Sequence, residues 1–305
     1  MDVGLVVPTL NSRDQLAGCL DALAAHAIGA EVVVVNGPST DGTSGFARSH
    51  AAVDRLVELP ERNLNAARNA GIAATEAEGL CFLGQDSEIE SGWMSAVREH
   101  LQGGAAAVTG PIHRRVSGGL TTEAVEEEHI CGRLVRYFDG GNVGFRRSIL
   151  EDLDGFDEYL DTGAARDLAH RLAGIGHDVI WDPDVAVTRT EGDDVDDRTA
   201  RREADALGLK YRAIAYRAVK NYGLRPAIGL SLTKHVVTDG LHALRDVAGG
   251  EVKPTTWVGD GSRVMRNLFR GILDGRRARR ADPSPRRNPN GLSARTDRAV
   301  AHYDA

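Results

Sequence analysis

The sequence predicts a doubly wound α/β domain with a Rossmann-like, mostly parallel sheet flanked by helices, followed by a helical extension. Three observations carry that expectation. Over the first hundred residues, short β-branched runs alternate with helix-length amphipathic segments, the spacing that builds a parallel sheet. Each run ends in a small or polar loop of the kind that holds ligands beyond the carboxyl ends of strands. Past residue 192 the pattern turns wholly helical.

Residues 2–7 (DVGLVV) stop at Pro8 and read as a buried strand. Asn11 or Ser12 can cap the next helix, whose apolar face carries Leu16, Cys19, Leu20 and Leu23. Glu31–Val35 (EVVVV) reads as a strand buried on both faces. It breaks at Asn36-Gly37-Pro38, and Ser39–Thr43 leads into a second helix. Val53–Leu59 reads as a strand, Leu64–Ala77 as a helix, and Leu80–Leu83 as a strand ending at Gly84-Gln85-Asp86.

Residues 101–192 are less regular. Strands are expected at Ala105–Val108, after the glycine-rich turn within Asp139–Arg147, at Val179–Trp181 and at Val185–Val187. Helices are expected at Ile149–Gly155 and Ala165–Ala173. In the extension, Leu207, Tyr211, Ile214, Ala218 and Tyr222 share one helical face. Val237, Leu241 and Leu244 mark a second helix, and Met265, Leu268, Phe269 and Ile272 a third. From Asp282 onward, few large apolar residues remain among Pro, Asn, Ser and Arg, which predicts a disordered tail over 281–305.

The net charge of −7 hides an asymmetry: Ser262–Ala305 holds 11 Arg against 4 acids, so the preceding body carries −14. A basic tail on an acidic body suggests an anionic partner for the tail. Aromatic residues for base stacking are lacking there, which argues against nucleic acid. Three dispersed cysteines (Cys19, Cys81, Cys131) form no CxxC pair and read as reduced thiols of a cytosolic protein. The chain opens directly on a strand, and a secretion signal is not expected. The longest weakly charged stretch, Leu224–His235, is shorter than the roughly 20 residues that span a bilayer.

The first strand–helix loop, Pro8-Thr9-Leu10-Asn11, lacks the GxGxxG fingerprint, which disfavours a nicotinamide or flavin enzyme. The loops instead resemble, in order, the signature segments of family 2 glycosyltransferases of the GT-A fold. The matching segments are Val6–Asn11, Val34–Thr43, Arg62-Asn63 with Ala67–Ile72, Cys81–Asp86, Gly141–Arg147 with Gly155–Glu158, and Asp167-Leu168 with Arg171-Leu172 and Asp182–Asp184. The resemblance covers about residues 3–190.

The resemblance implies a nucleotide-sugar-binding half over 1–100, an acceptor-side half over 101–192, and an appended helical extension over 193–280. It implies that Pro8, Thr9, Asn36 and Asp41 line the base pocket, that Arg68 reaches base or phosphate, and that Gln85 belongs to the donor site. Asp41 equally suits a helix-capping turn. Asp86 resembles the last residue of the family's DxD element, whose carboxylate holds Mg²⁺ or Mn²⁺ against the donor diphosphate.

Three departures bear on mechanism. Gly84 stands where the first acid of that element is expected, and Arg189 where relatives often carry a His. Ala164-Ala165 occupies the place of a Glu-Asp pair whose Asp is usually the general base. Direct inversion needs a base within reach of the attacking oxygen. The candidates are Asp167, Asp161 and Asp139, unless the nucleophile is an already ionised phosphate. These losses also leave open a catalytically silent, sugar-nucleotide-binding subunit.

The extension resembles that of archaeal family 2 enzymes that elongate dolichyl- or polyprenyl-phosphate-linked glycans for protein N-glycosylation. The expected acceptor is therefore a lipid-linked glycan at the cytoplasmic face of the membrane. Peripheral contact would come from Met265, Leu268, Phe269 and Ile272 beside Arg263, Arg266 and Arg270.

Overall fold

The computed structural model describes residues 1–116, 119–122, 124–190, 200–226, 228–229 and 254–304. The first half runs β1 (Val3–Thr9), α1 (Arg13–His26), β2 (Glu31–Asn36), α2 (Thr43–Ser49), β3 (Arg55–Glu58), α3 (Leu64–Ala73) and β4 (Gly79–Leu83). Then come β5 (Ser87–Ile89), α4 (Trp93–Gln102), β6 (Ala107–Thr109), β7 (Ile112–Val116), β8 (Gly119–Thr122), β9 (Glu127–Ile130) and β10 (Arg133–Arg136). β11 (Asn142–Arg146), α5 (Arg147–Asp152), α6 (Ala164–Gly174), β12 (Val179–Trp181) and β13 (Val187–Thr190) come next. The chain continues with α7 (Ala200–Tyr222), α8 (Pro254–Ala281), a single 3-10 turn at Leu292–Ala294 and β14 (Ala301–Asp304).

The main sheet has the order β12-β6-β11-β4-β1-β2-β3-β14. β4, β1, β2 and β3 are mutually parallel, and β11 runs antiparallel between β4 and β6. β1 and β4 are buried along their whole length, as central strands covered on both faces must be. Their side chains alternate between two cores. Val6, Val33, Val35, Leu80 and Phe82 face α3, α5 and α6, whereas Leu5, Val7, Val34, Cys81 and Leu83 face α1 and α4. Each fully buried Val, Leu or Phe is worth about 1.5–3 kcal/mol, so this alternation fixes the register. A second sheet, β5-β13-β7-β8, stands beside the carboxyl end of β4 and brings residue 189 opposite residue 87.

α7 and α8 lie side by side around a third core of Tyr211, Ala215, Tyr222, Val264 and Leu268. Close approach depends on two glycines: a Cβ on Gly271 would lie 2.3 Å from the Arg212 carbonyl oxygen, and one on Gly275 2.7 Å from that of Tyr216. Contacts that advance together along both helices mean that the two run in the same direction. The apolar stripe expected on α8 is split. Leu268 is buried and Ile272 packs against the α7 core, while Met265, Phe269 and Leu273 are 42%, 60% and 53% exposed. The helix expected around Val237, Leu241 and Leu244 lies outside the described residues.

The expectation of a disordered tail is corrected. Residues 282–304 cross back over the α/β domain and end as β14, antiparallel to β3 at the sheet edge. Polar groups replace the missing apolar ones: Asn288 Nδ2 donates to the carbonyls of Asp154 and Gly155, Ser293 bonds Asp154, and Asn290 bonds Asp157. Tail charge is likewise used internally, since Arg295 pairs with Glu61 and Glu158, Arg298 with Glu158, and Arg286 with Asp282.

Candidate active site

Two adjoining cavities open beyond the carboxyl ends of β1 and β4. The first, about 470 Å³, is walled by Pro8 and Thr9 of β1, by Arg62, Asn63 and Arg68 around α3, and by Gly84-Gln85-Asp86 after β4. The second, about 370 Å³, is walled by Tyr137, Phe138, Trp181 and the Asp161–Arg166 turn into α6. Leu64, Arg68, Asp139 and Gly140 line both.

α3 starts at Leu64 because Asn63 caps it, its side chain accepting from the N–H groups of Asn65 and Ala66. That start turns Arg68 inward, where it donates to Asn65 Oδ1 and to the Gly140 carbonyl, each at 3.0 Å. Its buried Nε has no partner among the described residues, and neither does the buried Thr9 Oγ1 on the same cavity wall. Two buried polar atoms without a partner among the described residues thus belong to residues of one cavity wall, a concentration that marks the wall as unusual. Burial pushes the Arg68 guanidinium down to about 10, with Asp139 opposing the shift, so it stays cationic at neutral pH.

Gln85 ties two loops together. Its Oε1 accepts from the Leu10 N–H at 3.1 Å, and its amide donates to Ser12 Oγ. Asn36 and Asp41, expected in the base pocket, do not line the cavity. The buried Asn36 amide is spent on Ser44 and Ser39 at 2.7 Å each. Asp41 closes the turn before α2 by accepting from Thr43, and its other oxygen accepts from the Arg13 N–H. Slight burial works against its ionisation, but these bonds lower its pKa.

Asp86 meets Arg189, a residue whose role the sequence left unassigned. Arg189 Nε donates to Ser87 Oγ at 2.8 Å and lies 3.5 Å from Asp86 Oδ1, while Nη2 lies 2.7 Å from Asp139 Oδ1. Burial opposes ionisation of Asp139, yet the Arg189 hydrogen bond and charge, the Gly141 N–H and Arg68 together hold it below the ordinary carboxylate range. Asp139 is paired closely with the guanidinium and Asp86 has one oxygen 3.5 Å from it, so a divalent ion expected at Asp86 would sit beside a fixed positive charge. Among the described residues no three His, Cys, Asp or Glu side chains converge as ligands.

Asp167, the first candidate base, is corrected. It is completely buried behind α6, with Oδ2 2.8 Å from Arg171 Nε and 2.7 Å from Lys220 Nζ, and Oδ1 2.9 Å from the Asn221 amide. Burial alone would raise its pKa, but Lys220 and Arg171 drive it far below the usual range. A carboxylate with every oxygen engaged and no path to a cavity cannot take a proton from an acceptor. Ala164 and Ala165, by contrast, do line the second cavity, beside Asp161 and Glu126. The position at which the resemblance implied a base thus lines this cavity and holds methyl groups.

The sheet order, the pair of cavities at its carboxyl edge and the helical cover define a GT-A glycosyltransferase fold. Residues 5–154 match the family described as Glycosyl transferase family 2, and this segment is a domain of that family. The fold superposes on the mannosyltransferase PcManGT from Pyrobaculum calidifontis, solved in complex with GDP-Man and Mn²⁺. The TM-score is 0.56 at 18% identity, covering 89% of this chain and 87% of that one. It also superposes on residues 1–349 of S. aureus TarS in complex with UDP, at a TM-score of 0.57 and 16% identity over 91% and 92% of the two chains.

Curated relatives include the pre-mycofactocin glycosyltransferase of Mycobacterium tuberculosis, 26% identical over 216 residues, or 66% of this chain and 45% of that protein. The glycosyltransferase AglE of Haloferax volcanii is 26% identical over 204 residues, or 60% of this chain and 65% of AglE. The chain thus spans about half the length of the first relative and just under two thirds of the second.

Proposed function

We propose that this protein transfers one sugar, with inversion, from a nucleotide sugar to a lipid-linked glycan. The observation that carries this reading is the pair of cavities meeting at Leu64, Arg68, Asp139 and Gly140. One accommodates a nucleoside diphosphate between Thr9, Arg68 and Gln85, and the other accommodates an acceptor. The acceptor oxygen would then attack the donor's anomeric carbon from the side opposite the departing nucleoside diphosphate, the geometry of single displacement.

Asp161, on the rim of the second cavity, is our choice of general base in place of the missing Asp at position 165. Support for a membrane-borne acceptor comes from α8, where Met265, Phe269 and Leu273 are exposed beside Arg266 and Arg270. An apolar ridge flanked by arginines suits the interface of an anionic bilayer, and it supports a peripheral position at the cytoplasmic face. Among the described residues no helix is long and apolar enough to cross a membrane.

The second reading, a silent nucleotide-sugar-binding subunit, draws on the methyl groups of Ala164 and Ala165 at the expected base position. One assay separates the two. Purified protein is mixed with membranes containing the acceptor and a panel of UDP-, GDP- and dTDP-sugars, and released nucleotide is measured. Acceptor-dependent release, with the product's anomeric configuration inverted by NMR, supports the transferase. Donor binding without release supports the silent subunit.

A further inference from the structure

We infer that Arg189 is the fixed cation that holds the donor diphosphate, in the place where a divalent metal would otherwise be required. This rests on the reading of the first cavity as the donor site. Four observations lead to it.

Arg189 is built into that wall rather than lying on it. β13 pairs with β5 so that residue 189 faces residue 87, and the guanidinium, only about a tenth exposed, is held by Ser87, Asp86 and Asp139. A planar fork with several fixed donors matches phosphate oxygens two at a time.

Two glycines make its room. A Cβ on Gly141 would come within 2.6 Å of Arg189 Nη2. A Cβ on Gly84 would lie 3.3 Å from Nη2 and 2.6 Å from Asp86 Oδ1. An aspartate at position 84 would need the space this arrangement fills. The glycine at 84 thus leaves room for the side chains of Asp86, Ser87 and Arg189 that meet there.

The second cation is adjacent. Arg68 lines the same cavity, is held by Asn65 and Gly140, and keeps a buried Nε without a partner among the described residues. A Cβ on Gly140 would lie 2.6 Å from its Nη2, so glycine backbone makes room for both guanidinium groups.

Finally, the carboxylates that would ligate a metal already lie beside a cation. Asp86 and Asp139 both face Arg189, and a divalent ion there would be set against a like charge a few ångströms away. A guanidinium needs no recruitment from solution and loses no charge at any working pH. When the diphosphate departs, Arg189 and Arg68 are the cations already placed to meet its growing charge.

Isothermal titration tests this on the full chain without any turnover. UDP, GDP and dTDP, with the matching monophosphates, are titrated in excess EDTA and again with Mn²⁺. We expect the preferred diphosphate to bind in EDTA within about threefold of its affinity in Mn²⁺. Loss of a charge-assisted contact should weaken diphosphate binding to Arg189→Met by about 10- to 100-fold in EDTA, while the monophosphate changes far less. Mn²⁺ should restore part of that loss, because the substitution releases Asp86 and Asp139.

Loss of diphosphate binding to the native protein in EDTA would overturn the inference, and that arm needs no variant. Undiminished binding to a folded Arg189→Met protein would overturn it too. Failure of every nucleotide to bind, with or without Mn²⁺, would instead refute the donor-site reading itself, and this inference with it.

Discussion

Lys220 Nζ lies 2.7 Å from Asp167 Oδ2, and both side chains are completely inaccessible to solvent. The same ammonium is 2.6 Å from Asp157, and Arg171 Nε lies 2.8 Å from Asp167, which thus meets both cations. This cluster bolts α7 to the α/β domain at the point where the sequence suggested chemistry. Lys220→Met should leave two buried carboxylates sharing one counter-charge and cost about 3–5 kcal/mol, read as a fall in the denaturant midpoint. Asp167→Asn should also lose stability, while the folded fraction keeps its turnover rate. A large fall in turnover without a loss of stability would return Asp167 to the mechanism.

Asp161→Asn should slow transfer by a factor of about 10²–10⁴, the usual scale for removing a general base, and leave nucleoside diphosphate affinity unchanged. Steady-state kinetics beside a binding titration would separate the two effects. If Glu126→Gln produces the loss instead, the base stands on the opposite wall of the second cavity.

His170 gives the protein a predictable acid response. Its ring sits between Tyr222 Oη at 2.8 Å and Tyr137 Oη at 3.4 Å. Burial, aided by the charge of Arg217, pushes its pKa down to about 3. In the unfolded chain a histidine titrates near ~6.5, so the unfolded state binds the extra proton between these two values. Stability should therefore fall as pH drops from about 6.5 towards 3, by up to roughly 1.4 kcal/mol per pH unit from this group. Melting curves across that range should show the slope, and His170→Gln should flatten it. An unchanged slope would assign the effect to other groups.

The ridge on α8 supplies a membrane test that leaves the fold intact. Replacing exposed Met265 and Phe269 together with Glu should reduce flotation with anionic liposomes several-fold, and added salt should weaken what remains. Equal flotation of the native and substituted proteins would move the contact elsewhere. Truncation is a poor probe here, because a chain ended before α8 also lacks residues 282–304 and the edge strand β14.

Much of the sheet was legible in the sequence because β1, β2 and β4 are covered on both faces and write continuous apolar runs. Pro8 and Thr9 at the end of β1, Gln85 and Asp86 just after β4, and Arg68 on α3 line one cavity, and the ends of those two strands could be read from their apolar runs. Asn36 and Asp41 were misplaced because a side chain that braces its own turn carries the same polar signature as one that meets a ligand. Asp167 could not be placed from sequence, since its partner Lys220 lies 53 residues away on a helix whose pattern announced only its apolar face. Arg189 was visible as a departure, but its link to Gly84 is spatial. The two positions are 105 residues apart in the chain, and only the pairing of β5 with β13 brings them together. The tail was misread because its order comes from asparagine, serine and arginine contacts, which composition scores as solubility.

The closing of the main sheet by β14 sets an order on how this molecule assembles. Tyr303 and Glu58 meet across 245 residues of chain, and contacts of such separation form late because the intervening loop must first be organised. Until then β3 stands as a bare outer strand, with backbone groups open to any other extended segment. Pulse-labelled hydrogen exchange should find the β3 amides that point towards β14 protected in the slowest phase, after those of β1 and β4. The nascent domain is accordingly most prone to cross-pairing with a neighbouring copy in that interval. Substitutions that loosen Arg295 or Arg298 should therefore raise aggregation during refolding more than they lower the melting point of the finished protein.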